Sequence, residues 1–226
     1  MAIRLCRLGL ADYQAVRDLQ LRLVAARLAG QADDVVLVTE HPPVFTLGRR
    51  GRRDHLLVSA SFLSARGIEV VHVERGGDIT YHGPGQLVIY PVLDLRRGRR
   101  SVTEHVSMLE ELMLRLAADC GVTARRDGRG RGVWCGGGKL GSVGIAVRHG
   151  VAYHGLALNV DPSLQPFAWI NPCGLSGVRM TSLARECSRE VTVDWVTRHL
   201  LQFLQDLLGR PVAAIDRLEL PWPEVA

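Results

Sequence analysis

Arg75-Gly-Gly-Asp-Ile-Thr-Tyr-His-Gly-Pro-Gly-Gln86 packs four glycines, a proline, an arginine and a histidine into twelve residues. Apolar, strand-like runs flank it, residues 68–73 before and 87–92 after. Glycine admits backbone conformations closed to other residues and lets a ligand come close to the main chain. Arg75 offers donors in a fixed fork, and His82 can donate or accept. A loop held in this way between two buried strands reads as a binding wall, and the plainer alternative is a pair of tight turns.

On the N-terminal side, residues 3–8 predict a strand and 11–29 a helix, with Tyr13, Val16, Leu19, Leu23 and Val24 on one face. Residues 35–39 predict a second strand. Glu40-His-Pro-Pro-Val-Phe-Thr-Leu-Gly-Arg-Arg50 then turns at its prolines into a short strand and a basic loop, and 58–66 predict a short helix. On the C-terminal side, Ser101-Val-Thr-Glu104 matches a capping box opening a helix to about 119. Its inward positions are Val102, Val106, Leu109, Leu112, Met113 and Leu116. Short strands follow at 122–125 and 132–134, then a strand pair at 139–147 and 151–160. Residues 161–180 read as irregular, and 193–208 as a final helix stopped by Gly209 and Pro211. Several strands adjoin through turns too short for a helical crossover. The expected class is therefore α/β (α+β), a mixed and largely antiparallel sheet flanked by helices, in one domain over 1–226.

The 226 residues are 47% hydrophobic and 23% charged, as in soluble globular chains. No apolar run approaches the ~20 residues that span a bilayer, and the first residues do not form a secretory signal. Five cysteines without regular spacing argue for a reducing cytoplasm rather than a disulfide framework. Without Cys-x-x-Cys or His spacing suited to zinc, no metal is expected. The net charge of +5 comes from arginine, because Lys139 is the only lysine. Only lysine readily shifts its pKa into a useful range, which makes this solitary amine a functional candidate.

Nucleotide motifs fail. Gly138 stands where a Walker lysine belongs, and a strand rather than a helix follows Gly83-Pro-Gly85. Cys6, Cys120 and Cys187 lie in strand or helix contexts where an inert thiol is the default, and Cys135 is a secondary candidate near Lys139. Cys173, set between Pro172 and Gly174, sits in a constrained turn that can present a nucleophile, or serve as a small apolar turn residue. A nearby ammonium that lowered its pKa by about 1.5 units would make roughly half of it thiolate at neutral pH. Of the histidines, His82 has the strongest claim. His41 and His154 fit structural positions, and His55, His72, His105, His149 and His199 read as surface or packing residues. The arginine runs at 49–53, 96–100 and 125–131 suit an acidic partner. Aromatic residues do not interleave with them, so nucleic acid is not indicated.

Taken in order, Glu40-His-Pro-Pro-Val-Phe-Thr-Leu-Gly-Arg49, the glycine stretch 75–86, Lys139-Leu-Gly-Ser-Val-Gly144, His154-Gly-Leu-Ala-Leu-Asn159 and Pro172-Cys-Gly174 resemble the lipoyl(octanoyl) transferases. The resemblance covers about residues 5–205. It implies the catalytic-domain fold of biotin- and lipoate-protein ligases, and transfer of an octanoyl group from octanoyl-acyl carrier protein. The implied acceptors are specific lysines of lipoyl domains, in 2-oxoacid dehydrogenase E2 subunits and the glycine cleavage H protein. Because the donor is a thioester, no cofactor is implied, neither ATP nor a metal. The resemblance puts the nucleophile at Cys173 and its partner at Lys139. The acyl-binding segments fall on Arg75, Gly76, Gly77, Asp78, Ile79, Thr80, Tyr81 and His82, on Ser142, Val143 and Gly144, and on Gly155, Leu156 and Ala157. Two departures stand out, an acidic Asp78 at a variable position and the triglycine Gly136-Gly-Gly138 leading into Lys139. The rival on the same fold is an ATP-dependent lipoate or biotin ligase, and a non-catalytic basic adaptor is a third reading.

Overall fold

The structure, a computed structural model, describes residues 2–171 and 178–215. In chain order the elements are β1 (Ile3–Leu10), α1 (Tyr13–Leu28), β2 (Val35–Glu40), β3 (Val44–Leu47), α2 (Ala60–Ser64), β4 (Glu69–His72), β5 (Ile79–His82) and β6 (Gln86–Asp94). There follow α3 (Val102–Asp119), β7 (Gly132–Cys135), β8 (Gly138–Arg148), β9 (Val151–Asn159), α4 (Leu183–Glu186), α5 (Val193–Val196), α6 (Leu200–Leu208) and β10 (Val212–Ile215).

Seven strands form one sheet in the order β10-β1-β2-β6-β9-β8-β7, and three more form a second in the order β4-β3-β5. The pairs β10/β1 and β1/β2 run parallel, while β2/β6, β6/β9, β9/β8 and β8/β7 run antiparallel. The mixed, largely antiparallel sheet expected from the short connections is thus present. Its central strands are covered on both faces, which is why their sequences read as continuous apolar runs. Val36, Val38, Leu87, Ile89, Leu156 and Leu158 face one layer with Leu109, Leu112, Met113, Leu200 and Leu204 of α3 and α6. The alternate residues Val35, Leu37, Val88, Tyr90, Tyr153 and Ala157 face the other layer with Val16, Leu23 and Val24 of α1. Phe45, Leu47, Ile79, Tyr81 and Phe167 make a separate core beneath the small sheet.

Helix ends follow local chemistry. Asp12 caps α1 by accepting from the Ala15 N–H at 2.8 Å. Ser101 and Glu104 form the reciprocal capping box expected for α3. That geometry turns Val102 outward, 49% exposed, and puts His105 in the core in its place. The predicted helix 193–208 is instead two, α5 and α6. Arg7 of β1 donates to the Thr197 carbonyl at 3.0 Å, drawing on an acceptor that a continuous helix would use internally. Residues 122–125 form no strand, only an isolated bridge between Arg125 and Trp134.

The loop reading of 75–86 needs the larger correction. Ile79-Thr-Tyr-His82 is β5, paired antiparallel with β3 from Leu47↔Ile79 to Val44↔His82. Four residues that suit a pleated, half-buried surface put Ile79 and Tyr81 into the small core. Glycine turns flank them, with Gly77 at φ 89° and Gly85 at φ 82°. The preceding strand β4 is not buried: at the edge of the small sheet its end residues Glu69 and His72 are exposed and Val70 and Val71 half-buried.

Strand β6 carries Pro91, which cannot donate to a ladder. Its pairing with β9 skips from Ile89↔Leu156 to Leu93↔Ala152. Opposite that gap His154 adopts φ 56°, rare for a residue with a side chain. The main-chain N–H released there is taken up by Gln20 Oε1 of α1 at 2.8 Å. Gly155 fits the same crowded spot only because it has no side chain: a Cβ would come 2.0 Å from the Ile89 carbonyl oxygen. Gly155→Ala is expected to cost about 3 kcal/mol, since a backbone carbonyl cannot step aside as a side chain can. Urea unfolding measures it, and an unchanged midpoint would contradict this account of the gap.

Candidate functional site

A cavity of about 660 Å³ opens between the two sheets. Its floor is the sheet face carrying Ser142 of β8, Ala157 of β9 and Val88 of β6, which lie side by side in register. Small residues in adjacent strands leave a trough where larger ones would fill the space. The next row, Gly144 and Gly155, also lines the cavity. Over Gly144 lies the stem of Arg75, since a Cβ there would meet Arg75 Cδ at 3.1 Å.

The 75–78 backbone is stitched down from both sides. Gly76 N–H donates to the Ile145 carbonyl (2.8 Å), Arg49 N–H to that of Arg75 (2.9 Å) and Arg50 N–H to that of Gly77 (3.1 Å). Arg75 Nη2 donates to both the carbonyl and Oγ1 of Thr46, each at 2.7 Å. Behind it, Glu74 pairs with Arg17 of α1 and lies 3.5 Å from His154 Nε2. Those partners hold the Glu74 carboxyl far below the usual carboxylate range, the neighbouring His154 ring contributing most.

Deeper in, tautomers follow from the partners. Gln86 Nε2 donates to Asn159 Oδ1 (2.9 Å), which leaves Gln86 Oε1 to accept from His82 Nδ1 at 2.7 Å. Burial, reinforced by His41 and Arg75, pushes His82 down to about 3, so it is neutral at physiological pH. His41 donates from Nδ1 to the Ala11 carbonyl (2.7 Å), so its Nε2 accepts from the Tyr90 hydroxyl (2.9 Å). Tyr13 stacks on His82 with centroids 5.7 Å apart, and burial raises its phenol to about 12. These rings hold protons in fixed places and act as shaped, neutral wall.

The polar chain reaches Lys139. Asn159 Nδ2 donates to the Thr181 carbonyl at 2.9 Å. Thr181 N–H in turn donates to the Lys139 carbonyl (3.0 Å), and Lys139 N–H to that of Arg179 (2.8 Å). Lys139 and Met180 therefore form a parallel bridge. Thr181 Oγ1 also donates to Glu186 at 2.6 Å, tying the same stretch to α4. Lys139 Nζ lies 5.5 Å from the centre of the Trp134 ring, and Arg50, Arg129 and Arg131 line the cavity with it.

Cys173 lies outside the described residues. Of the other residues singled out in the sequence, Lys139, Arg75, Gly76, Gly77, Asp78, Ile79, Thr80, His82, Ser142, Val143, Gly144, Gly155, Leu156 and Ala157 all line this one cavity. Tyr81 does not: it packs between Phe45 and Phe167, with centroids 5.3 and 5.4 Å away. Cys135, the secondary thiol, is buried and donates to Glu186 at 3.6 Å; burial and that carboxylate raise its pKa, away from a nucleophile. The sequence reading missed His55, a cavity-lining residue whose Nδ1 lies 2.5 Å from Asp78 Oδ2. Its only signal in the sequence was the acidic Asp78 amid glycines. Among the described residues no cluster of three or more His, Cys, Asp or Glu could hold a metal ion.

His105 lies outside the cavity but buried in α3, and neither of its ring nitrogens has a hydrogen-bond partner. Burial first, then Arg100, lowers it to about 4. A histidine kept neutral in the fold but free to protonate near 6.5 when unfolded loses stability as pH falls below that value. At pH 5 this amounts to about 2 kcal/mol. His105→Leu is expected to shrink the stability loss between pH 7 and pH 5 by that amount in denaturant titrations. An unchanged loss would exclude His105 as a source.

Residues 12–205 match the family model of the lipoyl protein ligase A/B catalytic domain. An octanoyltransferase of Desulfotalea psychrophila is 53% identical, covering 89% of this chain and 92% of that protein. One from Syntrophobacter fumaroxidans is 49% identical, covering 98% and 95%. The crystal structure of lipoate-protein ligase A bound with ATP superposes with a TM-score of 0.76 at 17% identity, over 97% of this chain and 90% of that one.

Proposed function

This chain belongs to the lipoyl protein ligase A/B catalytic domain family and is an octanoyltransferase of protein lipoylation, and we propose that the octanoyl group passes through a thioester on Cys173. One observation carries the reading. The described residues on either side of the segment containing Cys173 are fastened at the cavity rim. Asn171 N–H donates to the His55 carbonyl at 2.8 Å on one side, and Arg179 and Thr181 clasp the Lys139 backbone on the other. Both ends thus lie beside residues that line the cavity with the chain's only lysine.

In the first half-reaction the Cys173 thiolate attacks the donor thioester carbonyl and the donor thiol leaves, giving an S-octanoyl enzyme. Thioester replaces thioester, so the exchange is close to isoenergetic. In the second half the acceptor lysine amine attacks and an amide forms, which drives the sequence forward. Lys139 holds the thiolate and passes protons between the steps. The segments around Arg75, Ser142 and Gly155 bind the acyl group, with Ile79, Val143 and Leu156 as apolar wall. The donor thioester supplies the activation, so ATP is not required.

The donor is octanoyl-acyl carrier protein, an acidic partner drawn by Arg50, Arg129 and Arg131 at the cavity and by the net charge of +5. The acceptors are lipoyl domains of 2-oxoacid dehydrogenase E2 subunits and the glycine cleavage H protein. The work belongs to the cytoplasm and to one catalytic domain over 1–226. No described helix is long and apolar enough to cross a membrane. Mixing the protein with octanoyl-acyl carrier protein and measuring intact mass tests the pathway. A gain of one octanoyl group, mapped to the peptide carrying Cys173, is expected without ATP. Transfer that needs ATP and releases pyrophosphate would overturn it.

A further inference from the structure

Building on the acyl-enzyme reading above, we infer that His55 and Asp78 form a second proton-transfer pair, which receives the proton of the acceptor amine when the octanoyl group leaves Cys173. The two side chains come from separate segments that meet at the cavity. His55 Nδ1 lies 2.5 Å from Asp78 Oδ2, and the other carboxylate oxygen is fixed by the Ile79 N–H at 2.7 Å. Asp78 is 6% exposed, so its orientation is set by these two contacts. A carboxylate can only accept, so in the neutral imidazole Nδ1 carries the proton and Nε2 the lone pair. Nε2 has no hydrogen-bond partner among the described residues. The His55 side chain is 22% exposed, open enough to meet a substrate.

The position suits the transfer step. The turn holding His55 is fastened to the stretch leading to Cys173 by three contacts in a row. Leu57 N–H donates to the Trp169 carbonyl (2.8 Å), Leu56 bridges Ile170, and Asn171 N–H donates to the His55 carbonyl (2.8 Å). Asn171 is two residues from the nucleophile. An imidazole oriented by a carboxylate within a cavity, on a turn tied to the chain two residues before the nucleophile, suits general-base catalysis.

The proton balance gives the pair a task. The acceptor side chain, with a usual pKa near 10.4, must attack as the free amine. As its nitrogen bonds to the thioester carbonyl, the C–S bond breaks and the nitrogen gives one proton to His55 Nε2. Asp78 stabilises the imidazolium so formed. The expelled Cys173 thiolate is held by Lys139, and the imidazolium returns its proton through solvent to restore the starting state. Lys139 thereby holds the thiolate and moves protons to and from the sulfur atoms, and His55 takes the proton of the acceptor nitrogen.

Isolated half-reactions test this. Acyl-enzyme is prepared from octanoyl-acyl carrier protein, and its decay is followed after adding a lipoyl domain. His55→Gln is expected to slow the decay by about 10²-fold, far more than it slows acylation, and Asp78→Asn to slow it in the same sense. Added imidazole is expected to restore part of the decay rate in His55→Ala, which a purely structural role would not allow. Decay at the wild-type rate in His55→Gln would overturn the proposal. So would equal slowing of both halves without imidazole recovery in His55→Ala. A wild-type protein that forms no acyl-enzyme would sink the Cys173 pathway itself, a result distinct from either.

Discussion

Cys173→Ala is expected to lose octanoyl transfer by roughly 10⁴–10⁶-fold, the scale seen when a covalent nucleophile is removed. The methyl group cannot attack a carbonyl, so the two-step route closes. What survives is the rate at which the cavity brings donor and acceptor together without an intermediate. Donor binding should change little, because the segments proposed to bind the acyl group are those around Arg75, Ser142 and Gly155. Steady-state transfer to a lipoyl domain, with donor binding measured separately, reads both. Near-normal turnover in this variant would remove Cys173 from the pathway.

Lys139→Arg is expected to lower transfer by about 10²–10⁴-fold while preserving the positive charge. Guanidinium keeps its proton throughout the physiological pH range and cannot cycle it. The variant therefore separates the two tasks proposed for Lys139, holding the thiolate and moving protons. If charge alone sufficed, Arg would approach the wild-type rate, and Lys139→Met would fall well below Lys139→Arg. The backbone contacts of residue 139 with Arg179 and Thr181 do not involve its side chain, so they persist in either variant.

The sheet was legible in the sequence where periodicity and burial agree. Leu87–Val92 and residues 151–160 read as strands because both faces are covered and most of their residues are apolar. Ile79-Thr-Tyr-His82 reads as loop in the sequence because the glycines around it dominate a local view. Its pairing with β3 spans more than thirty residues and leaves no local mark. The split between α5 and α6 was hidden for a similar reason, since Arg7 acts on Thr197 from 190 residues away. For the site, glycine and solitary-residue signals pointed to the cavity walls and Lys139. His55 reads as a surface or packing residue because Gly51-Arg-Arg-Asp-His55 resembles any solvated basic turn, and its partner Asp78 is brought to it only by the fold.

The setting of Lys139 in the cavity wall has a practical side. No other side chain in this protein carries a primary amine. A lysine-selective acylating reagent thus has one side-chain target, and that target lines the compartment where substrate would sit. The rate of tagging would report directly on whether the compartment is filled, without an engineered label. The same scarcity leaves a bound acyl thioester with almost nothing on the enzyme's own surface to modify by mistake.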